Sequence, residues 1–244
     1  MYRFYCPILN ENSTQTVIED PHEIHHLRNV LHLRDQDALI LFNGKGKEAE
    51  GTILKISPKQ IVIETPAFKT SAQSLPTIIL ACAVPKKGKF DTIVEKATEL
   101  GADVIIPLIT QRTEVVWKKE RSIEKSERLR KIALNASKQC RRNIFPEIYP
   151  PTSLKDFIES FQQHTTILMP SLAGQHQTIF DALSRIQPAE KVAVCIGPEG
   201  DFTPKEYEEA FTKGVIPVSL GSSILKVETA TFCALSCLRI FFKK

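Results

Sequence analysis

The chain has 244 residues, of which 42% are hydrophobic and 25% are charged, with a formal net charge of +4. This composition is typical of a soluble globular protein; we expect no secretory signal, and no apolar run is long enough to cross a membrane. The six cysteines are scattered without a Cys-x-x-Cys pair, which indicates small buried residues in a reducing cytoplasm.

Residues 1–72 alternate short strand-like runs with turns and predict a small β-barrel domain. A short helix is predicted from Pro21 to Leu31, with Asp20 as its N-cap. Asn43 and Gly44 predict a hairpin turn. The predicted strands are Tyr2–Tyr5, Ala38–Phe42, Gly51–Ile56 and Gln60–Thr65.

The first helix contains a possible metal-binding pattern. His22-Glu23-Ile24-His25-His26 matches the His-Glu-x-x-His sequence of zinc proteases, in which the two outer histidines bind zinc and the glutamate acts as a base. The helix is short and no third ligand stands out, so we predict a polar helix face and no metal. A zinc protease is the weakest functional alternative.

The polar, unpatterned stretch Phe68–Pro76 predicts a linker between domains 1–72 and 73–244. A strand at Thr77–Val84, an amphipathic helix ended by Gly101 and a strand at Val104–Leu108 follow. This β-α-β order predicts parallel pairing and an α/β fold for the second domain.

The basic residues are unevenly distributed. Residues 1–72 contain eight Lys and Arg against nine Asp and Glu, whereas residues 86–142 contain fifteen against eight, a net charge of +7. This excess is compatible with binding a phosphate backbone. A solvated face on the highly charged helix predicted from Glu124 to Cys140 explains it equally well.

The last third of the chain predicts alternating strands and helices. Thr203, Pro204 and Glu206 predict a capping box that begins a helix, and Gly214 ends it. Further strands are predicted at Thr166–Met169, Val192–Ile196 and Val215–Leu220, and helices at Ser153–Gln163 and Val227–Phe242. Ligands of open α/β sheets bind where such strands end.

Two loops after these strands carry a family resemblance. Gly197-Pro198-Glu199-Gly200 and Leu220-Gly221-x-x-Ile224-Leu225-x-x-Glu228-Thr229-Ala230 resemble the motifs of the RsmE family. These SPOUT-class enzymes use S-adenosylmethionine to methylate N3 of a uridine in 16S ribosomal RNA. The resemblance implies a PUA-like RNA-binding β-barrel, a SPOUT domain with a C-terminal trefoil knot, and cytoplasmic action on 16S ribosomal RNA or the small ribosomal subunit.

The resemblance and the chemistry together suggest site residues. The apolar Ile196, Leu220, Ile224 and Leu225 suit the walls of a cofactor pocket. The remaining predicted cofactor residues are Met169, Pro170, Gly197, Pro198, Glu199, Gly200 and Gly221. The predicted catalytic residues are Arg112, Gln139, Arg142 and Glu199, and the predicted RNA-binding residues are Arg3, Arg28, Lys86, Lys87 and Lys89.

Methylation at N3 requires loss of the N3 proton. Glu199 and Glu228 are conceivable bases, and Arg112 and Arg142 could stabilise negative charge on the uracil oxygens. Glu228 is better explained as an acid in the first turn of a helix. No Gly-x-Gly-x-x-Gly fingerprint or phosphate-binding loop is present, which argues against Rossmann enzymes and P-loop NTPases.

Four residues of the second domain depart from the family pattern, which leaves an alternative open. A non-catalytic RNA-binding protein could keep the fold and lose the reaction. The departures are Lys138, Asp201, Ser223 and Lys226.

The apolar composition of the final predicted helix indicates a homodimer. Between Val227 and Phe242 it has almost no polar face, so one side is expected to pack on the sheet and another on a second subunit.

Overall fold

The computed structural model describes residues 1–9, 13–72, 75–86, 88–115, 117, 122–171, 177–186 and 191–243. Internal contacts divide the chain into two compact units. The first unit combines Met1–Gln73 with Ser137–Phe145, and the second combines Ser74–Ala136 with Pro146–Lys244. The division into domains 1–72 and 73–244 stays a prediction.

The first unit is built on a five-stranded sheet with the order β1-β3-β4-β5-β2. β1 is parallel to β3, and the other neighbours are antiparallel. Helix α1 spans Pro21–His25 and continues as a π-helical segment, His26–Val30. The strands are β1 Tyr2–Tyr5, β2 Gln15–Ile18, β3 Ala38–Phe42, β4 Lys47–Ile56 and β5 Ile61–Thr70.

Local signals in this unit are confirmed. The Asp20 carboxylate accepts two backbone N–H groups at the start of α1, as an N-cap does. Asn43 Oδ1 accepts the N–H groups of Lys45 and Lys47 at 2.8 and 3.0 Å, and Gly44 has φ 71°. These bonds close the predicted hairpin between β3 and β4.

Four details of the sequence prediction were wrong, the first being the start of β4, which lies at Lys47 instead of Gly51. Strand β5 runs to Thr70, so Phe68 pairs with Ala49 and packs on the core instead of beginning the linker. The last residues of β5 are polar and lack an alternating apolar pattern, so the sequence did not indicate a strand there. Pairing with β4 makes these residues part of the strand. Strand β2 was missed because it is short, and the predicted Pro21–Leu31 helix changes to π-helical geometry at His26.

The second unit contains an eight-stranded sheet. Its main path has the order β11-β13-β10-β12-β6-β7-β8, β9 also pairs with β7, and every pairing is parallel. The strands are β6 Thr77–Ala83, β7 Val104–Ile109, β8 Glu147–Ile148, β9 Thr152–Ser153, β10 Thr165–Pro170, β11 Gln177–Thr178, β12 Lys191–Ile196 and β13 Ile216–Ser219.

Helices cover both faces of this sheet. One apolar core lies against α2, α3, α5 and α7, and a second lies against α4 and α6. This gives the three-layered α/β architecture that the β-α-β order predicted. The helices are α2 Lys89–Glu99, α3 Ser122–Cys140, α4 Leu154–Phe161, α5 Ile179–Arg185, α6 Pro204–Thr212 and α7 Val227–Phe242.

The predicted helix ends in this unit are also confirmed. Thr203 and Glu206 form both halves of the capping box of α6. Gly101 and Gly214 follow the last residues of α2 and α6 with φ 93° and 84°, as residues that end helices do. The predicted threading of α7 through a knot stays a prediction. In the part of the chain that the structure describes, every helix is too short or too polar to span a bilayer.

Candidate active site

A pocket of about 660 Å³ lies at the carboxyl edge of the parallel sheet, within the size range of small-molecule sites. Strands β12, β10 and β13 are neighbours, so the loops that follow them meet at this edge. The first residues of α2 and α7 complete the lining. The lining residues are Lys89, Pro170, Ser171, Ile196, Gly197, Pro198, Glu199, Asp201, Ser219, Leu220, Gly221, Ser222, Ser223, Ile224, Leu225, Lys226, Val227, Glu228 and Ala230.

All predicted cofactor residues line this pocket except Met169 and Gly200. Met169 is fully buried in the core against α4 and α6. Its neighbour Pro170 reaches the pocket because successive strand residues point to opposite faces. Gly200 lies farther along its loop, beside the Arg112 side chain.

Two pocket glycines are required for different reasons. Gly221 has φ 122°, a backbone conformation that residues with a Cβ rarely adopt. At Gly197, a Cβ would lie 3.0 Å from the buried Phe202 ring, so that glycine allows close packing beneath the loop.

Arg112 holds the loop that follows β12. Its Nη1 donates hydrogen bonds to the carbonyl oxygens of Gly200 at 2.6 Å and Phe202 at 3.4 Å. The guanidinium predicted to stabilise charge on the substrate therefore also positions the Gly-Pro-Glu-Gly segment.

Glu206 fixes the loop that carries Arg112. Its Oε1 accepts the Gln111 N–H at 2.9 Å, while its Oε2 accepts the Thr203 N–H at 2.8 Å. The buried carboxylate thus joins the end of β7 to the start of α6. The capping box was visible in the sequence, but this second use of Glu206 was not.

Glu199 connects two other loops at the same edge. Its Oε1 accepts the backbone N–H of Lys86 at 2.9 Å, and the Lys86 ammonium pairs with Glu114 at 2.7 Å. The predicted catalytic carboxylate is therefore hydrogen-bonded to the segment that follows β6.

An ion pair lies on the pocket lining. Lys89 Nζ is 2.7 Å from Glu228 Oε1, and its hydrogen bond holds the pKa of the Glu228 carboxyl below its usual value. By contrast, burial raises the pKa of the Cys82 thiol in the neighbouring core to about 12. Cys82 is therefore uncharged at neutral pH and is a poor nucleophile.

The predicted catalytic residues divide between the two units. Arg112 and Glu199 belong to the second unit, whereas Gln139 and Arg142 belong to the first. Lys138 also belongs to the first unit, where it forms an ion pair with Glu23.

The predicted RNA-binding residues have different environments. Arg3 is largely buried: its Nη1 lies 3.0 Å from Glu48 Oε2 and its guanidinium stacks on Phe42. These contacts hold the Arg3 guanidinium inside the first unit. Arg28 is half-buried in the π-helical segment, and Lys87 lies outside the described residues.

The histidine pattern of α1 does not form a metal site in the described residues. No group of three or more His, Cys, Asp or Glu side chains there is arranged to hold an ion. Glu23, the candidate base of that pattern, is paired with Lys138 instead.

Several lining residues were not predicted as cofactor residues. Ser171, Ser222 and Val227 lie directly beside residues of the predicted loops and motifs. This adjacency in sequence is the signal that could have identified them as pocket residues. Lys89 lies far away in sequence, and only the packing of α2 beside α7 brings it to the pocket.

Two stretches of the chain match known domain families. Residues 73–239 match an RNA methyltransferase domain, and residues 18–65 match an RNA methyltransferase PUA domain. The chain is similar to Ribosomal RNA small subunit methyltransferase E of Rickettsia conorii, with 31% identity over 95% of this chain and 92% of the relative. The Bacillus subtilis protein of that name is 28% identical over 88% and 86%.

A solved structure is similar along nearly the whole chain. It is the crystal structure of a Ribosomal RNA small subunit methyltransferase E from Neisseria gonorrhoeae bound to S-adenosyl methionine. The TM-score is 0.85 at 26% identity, with coverage of 98% of this chain and 97% of that chain.

Proposed function

Because the chain belongs to the RsmE family of RNA methyltransferases, we propose that it uses S-adenosylmethionine to methylate N3 of a uridine in 16S ribosomal RNA. The observation that carries the proposal is the pocket built from the two family loops at the ends of β12 and β13. The substrate is an RNA of the small ribosomal subunit, so we expect the protein to act in the cytoplasm.

The pocket lining fits the proposed cofactor. Ile196, Leu220 and Leu225 provide apolar walls for adenine and methionine groups, and the glycine loops expose backbone donors and acceptors. When bound, S-adenosylmethionine supplies an electrophilic methyl group on a sulfonium. The protein's task is then to align the uracil and accept or stabilise its negative charge.

Glu199 is the proposed proton acceptor. It lines the pocket, and its hydrogen bond from the Lys86 N–H fixes the carboxylate at the edge. Glu228 is the weaker candidate because Lys89 lowers its pKa and so makes it a poorer base. We propose that Arg112 binds the uracil oxygens or the neighbouring RNA and also positions the loop. Gln139 and Arg142 belong to the first unit, and their catalytic role stays a prediction.

The alternative is a non-catalytic RNA-binding protein, but the structure accounts for two departures from the family pattern. Asp201 has φ 61°, and its Oδ1 accepts hydrogen bonds from the Phe202 N–H and the Tyr207 hydroxyl. The side chain thus stabilises a conformation that otherwise favours glycine. Lys138, the second departure, forms an ion pair with Glu23.

The function is tested with purified protein, S-adenosylmethionine and small ribosomal subunits from a strain that lacks the enzyme. Mass mapping should show one added methyl group on a single uridine, at N3. Naked 16S RNA, assayed in parallel, identifies which form is the substrate. Cofactor binding by calorimetry without any methyl transfer would favour the non-catalytic alternative.

RNA binding should depend on the lysines after β6. Replacing Lys86 and Lys87 together with Ala should reduce the slope of log affinity against log salt by about 1.5, because each phosphate contact releases counterions. Filter binding over a series of salt concentrations measures the slope. Lys191→Ala is the matched control, because this exposed lysine begins β12 at the opposite end of the strand from the pocket. An unchanged slope in the double variant would place the RNA elsewhere.

We propose that α7 forms a homodimer interface. Its face toward the core is buried, but Ile240 is 71% exposed and Phe241 39% exposed in the single chain. Cys233 and Cys237, two turns and one turn before Ile240, are only half-buried. A second copy would cover this apolar stripe.

Light scattering tests the dimer. The wild type should have about twice the 27.4 kDa chain mass at micromolar concentration, and Ile240→Glu should shift it toward the single-chain mass. Lys243→Glu, near the end of the same helix, is the control for added negative charge. A wild-type mass near 27.4 kDa would refute the dimer.

A further inference from the structure

Lys89 and Glu228 form the ion pair on the pocket lining, although 139 residues separate them. Lys89 is the first residue of α2, and Glu228 is the second residue of α7. The Lys89 ammonium donates to Glu228 Oε1 at 2.7 Å, and both side chains are partly exposed. The pair therefore connects the starts of two helices that pack beside each other.

Both helices begin without a side-chain cap. The N-cap of α2 is Gly88, with φ 70°, and the N-cap of α7 is Lys226; neither makes a capping side-chain hydrogen bond. Helix starts without such caps have backbone N–H groups that lack an internal partner and are prone to fray. The hydrogen bond between Lys89 and Glu228 joins the first turns of these two helices, neither of which has a side-chain cap.

The first turn of α7 is also a wall of the pocket. Lys226, Val227, Glu228 and Ala230 all line it. One turn later, Thr231 is buried, with its hydroxyl 3.6 Å from Cys82 Sγ in β6. The helix is therefore packed on the core through Val227 and Thr231, and Lys89 contacts the polar side of its first turn at Glu228.

We propose that Lys89 and Glu228 are positioning residues for the cofactor pocket, an inference that rests on the proposed function. The ion pair fixes the first turn of α7 and with it the end of the 220–226 loop. Loss of either charge weakens the binding of S-adenosylmethionine more than it weakens the binding of RNA. This assigns Lys89 a different role from the phosphate contact that its sequence position suggested.

The expected size of the effect follows from the exposure of the pair. Partly exposed ion pairs contribute up to about 1 kcal/mol, so Lys89→Ala or Glu228→Gln should weaken cofactor binding roughly five-fold. Reversing one charge, as in Lys89→Glu, places two carboxylates together and should weaken binding roughly ten-fold.

The test is calorimetric titration of each purified variant with S-adenosylmethionine, alongside its thermal unfolding midpoint. Lys89→Arg keeps the charge and should bind like the wild type. The double variant Lys89→Glu/Glu228→Lys restores opposite charges and should bind more tightly than either single reversal. Lys96→Ala is the control, because it removes a lysine of the same helix that pairs with Glu95 and Glu99.

The outcomes separate the inference from the proposed function. If the wild type does not bind S-adenosylmethionine, the proposed function fails. If the wild type binds and Lys89→Ala binds equally well, the positioning role is wrong. The role is also wrong if Lys89→Ala leaves cofactor affinity unchanged and reduces only the salt dependence of RNA binding. Weaker cofactor binding in a variant whose unfolding midpoint falls by no more than a few degrees, with recovery of binding in Lys89→Arg and the charge swap, supports it.

Discussion

Replacing Gly221 with Val should weaken S-adenosylmethionine binding roughly 100-fold, because the strained loop would move its backbone and the neighbouring Leu220 wall. Gly221 has φ 122°, which a β-branched residue does not adopt without distortion. Apart from Gly221 itself and its two chain neighbours, no atom of the described residues lies within 4 Å of the added Cβ position. The defect is therefore one of backbone conformation, and calorimetry on the folded variant measures it.

Gly101→Val is the matched control for this strain. Gly101 has φ 93°, and its added Cβ is equally clear of the described atoms, but it ends α2 outside the pocket lining. It should lose stability to a similar degree while keeping its cofactor affinity. Equal affinity of Gly221→Val and wild type would remove the second loop from the site.

Replacing Glu206 with Ala should lower the free energy of unfolding of the second unit by about 3 kcal/mol. The substitution removes the acceptor for the Gln111 and Thr203 N–H groups and breaks the capping box of α6. Calorimetry should show the unfolding midpoint falling by roughly 6–12 °C, given the size of the unit. Methyl transfer should also slow, because the loop that carries Arg112 loses its tie to α6.

Two variants decide whether the buried acceptor is responsible. Glu209→Ala, on the same helix, removes only an exposed partner 3.8 Å from Lys205 and should change stability by less than about 0.5 kcal/mol. Glu206→Gln keeps acceptor capacity and should lie between the wild type and the Ala variant. A Glu206→Ala midpoint equal to that of Glu209→Ala would contradict the interpretation.

The sequence alone determined the helix starts and turns that depend on interactions between residues a few positions apart. Thr203 and Glu206 specify the start of α6 through hydrogen bonds three residues apart, and Asn43 specifies a turn by bonding its own loop. The apolar pattern from Val227 to Phe242 predicted the bounds of α7. The two glycine loops identified the family and the edge of the sheet at which the pocket lies.

Tertiary structure decided which side chains meet there. Met169 and Pro170 are adjacent in β10, yet the alternation of strand side chains sends Met169 into the core and Pro170 to the pocket. Lys89 had the sequence character of a phosphate-binding lysine, but the packing of α2 against α7 brings it to Glu228. Arg112 had the character of a catalytic arginine, and the fold uses it to hold the Gly200 carbonyl. These roles depend on partners more than 80 residues away, which local pattern and propensity do not specify.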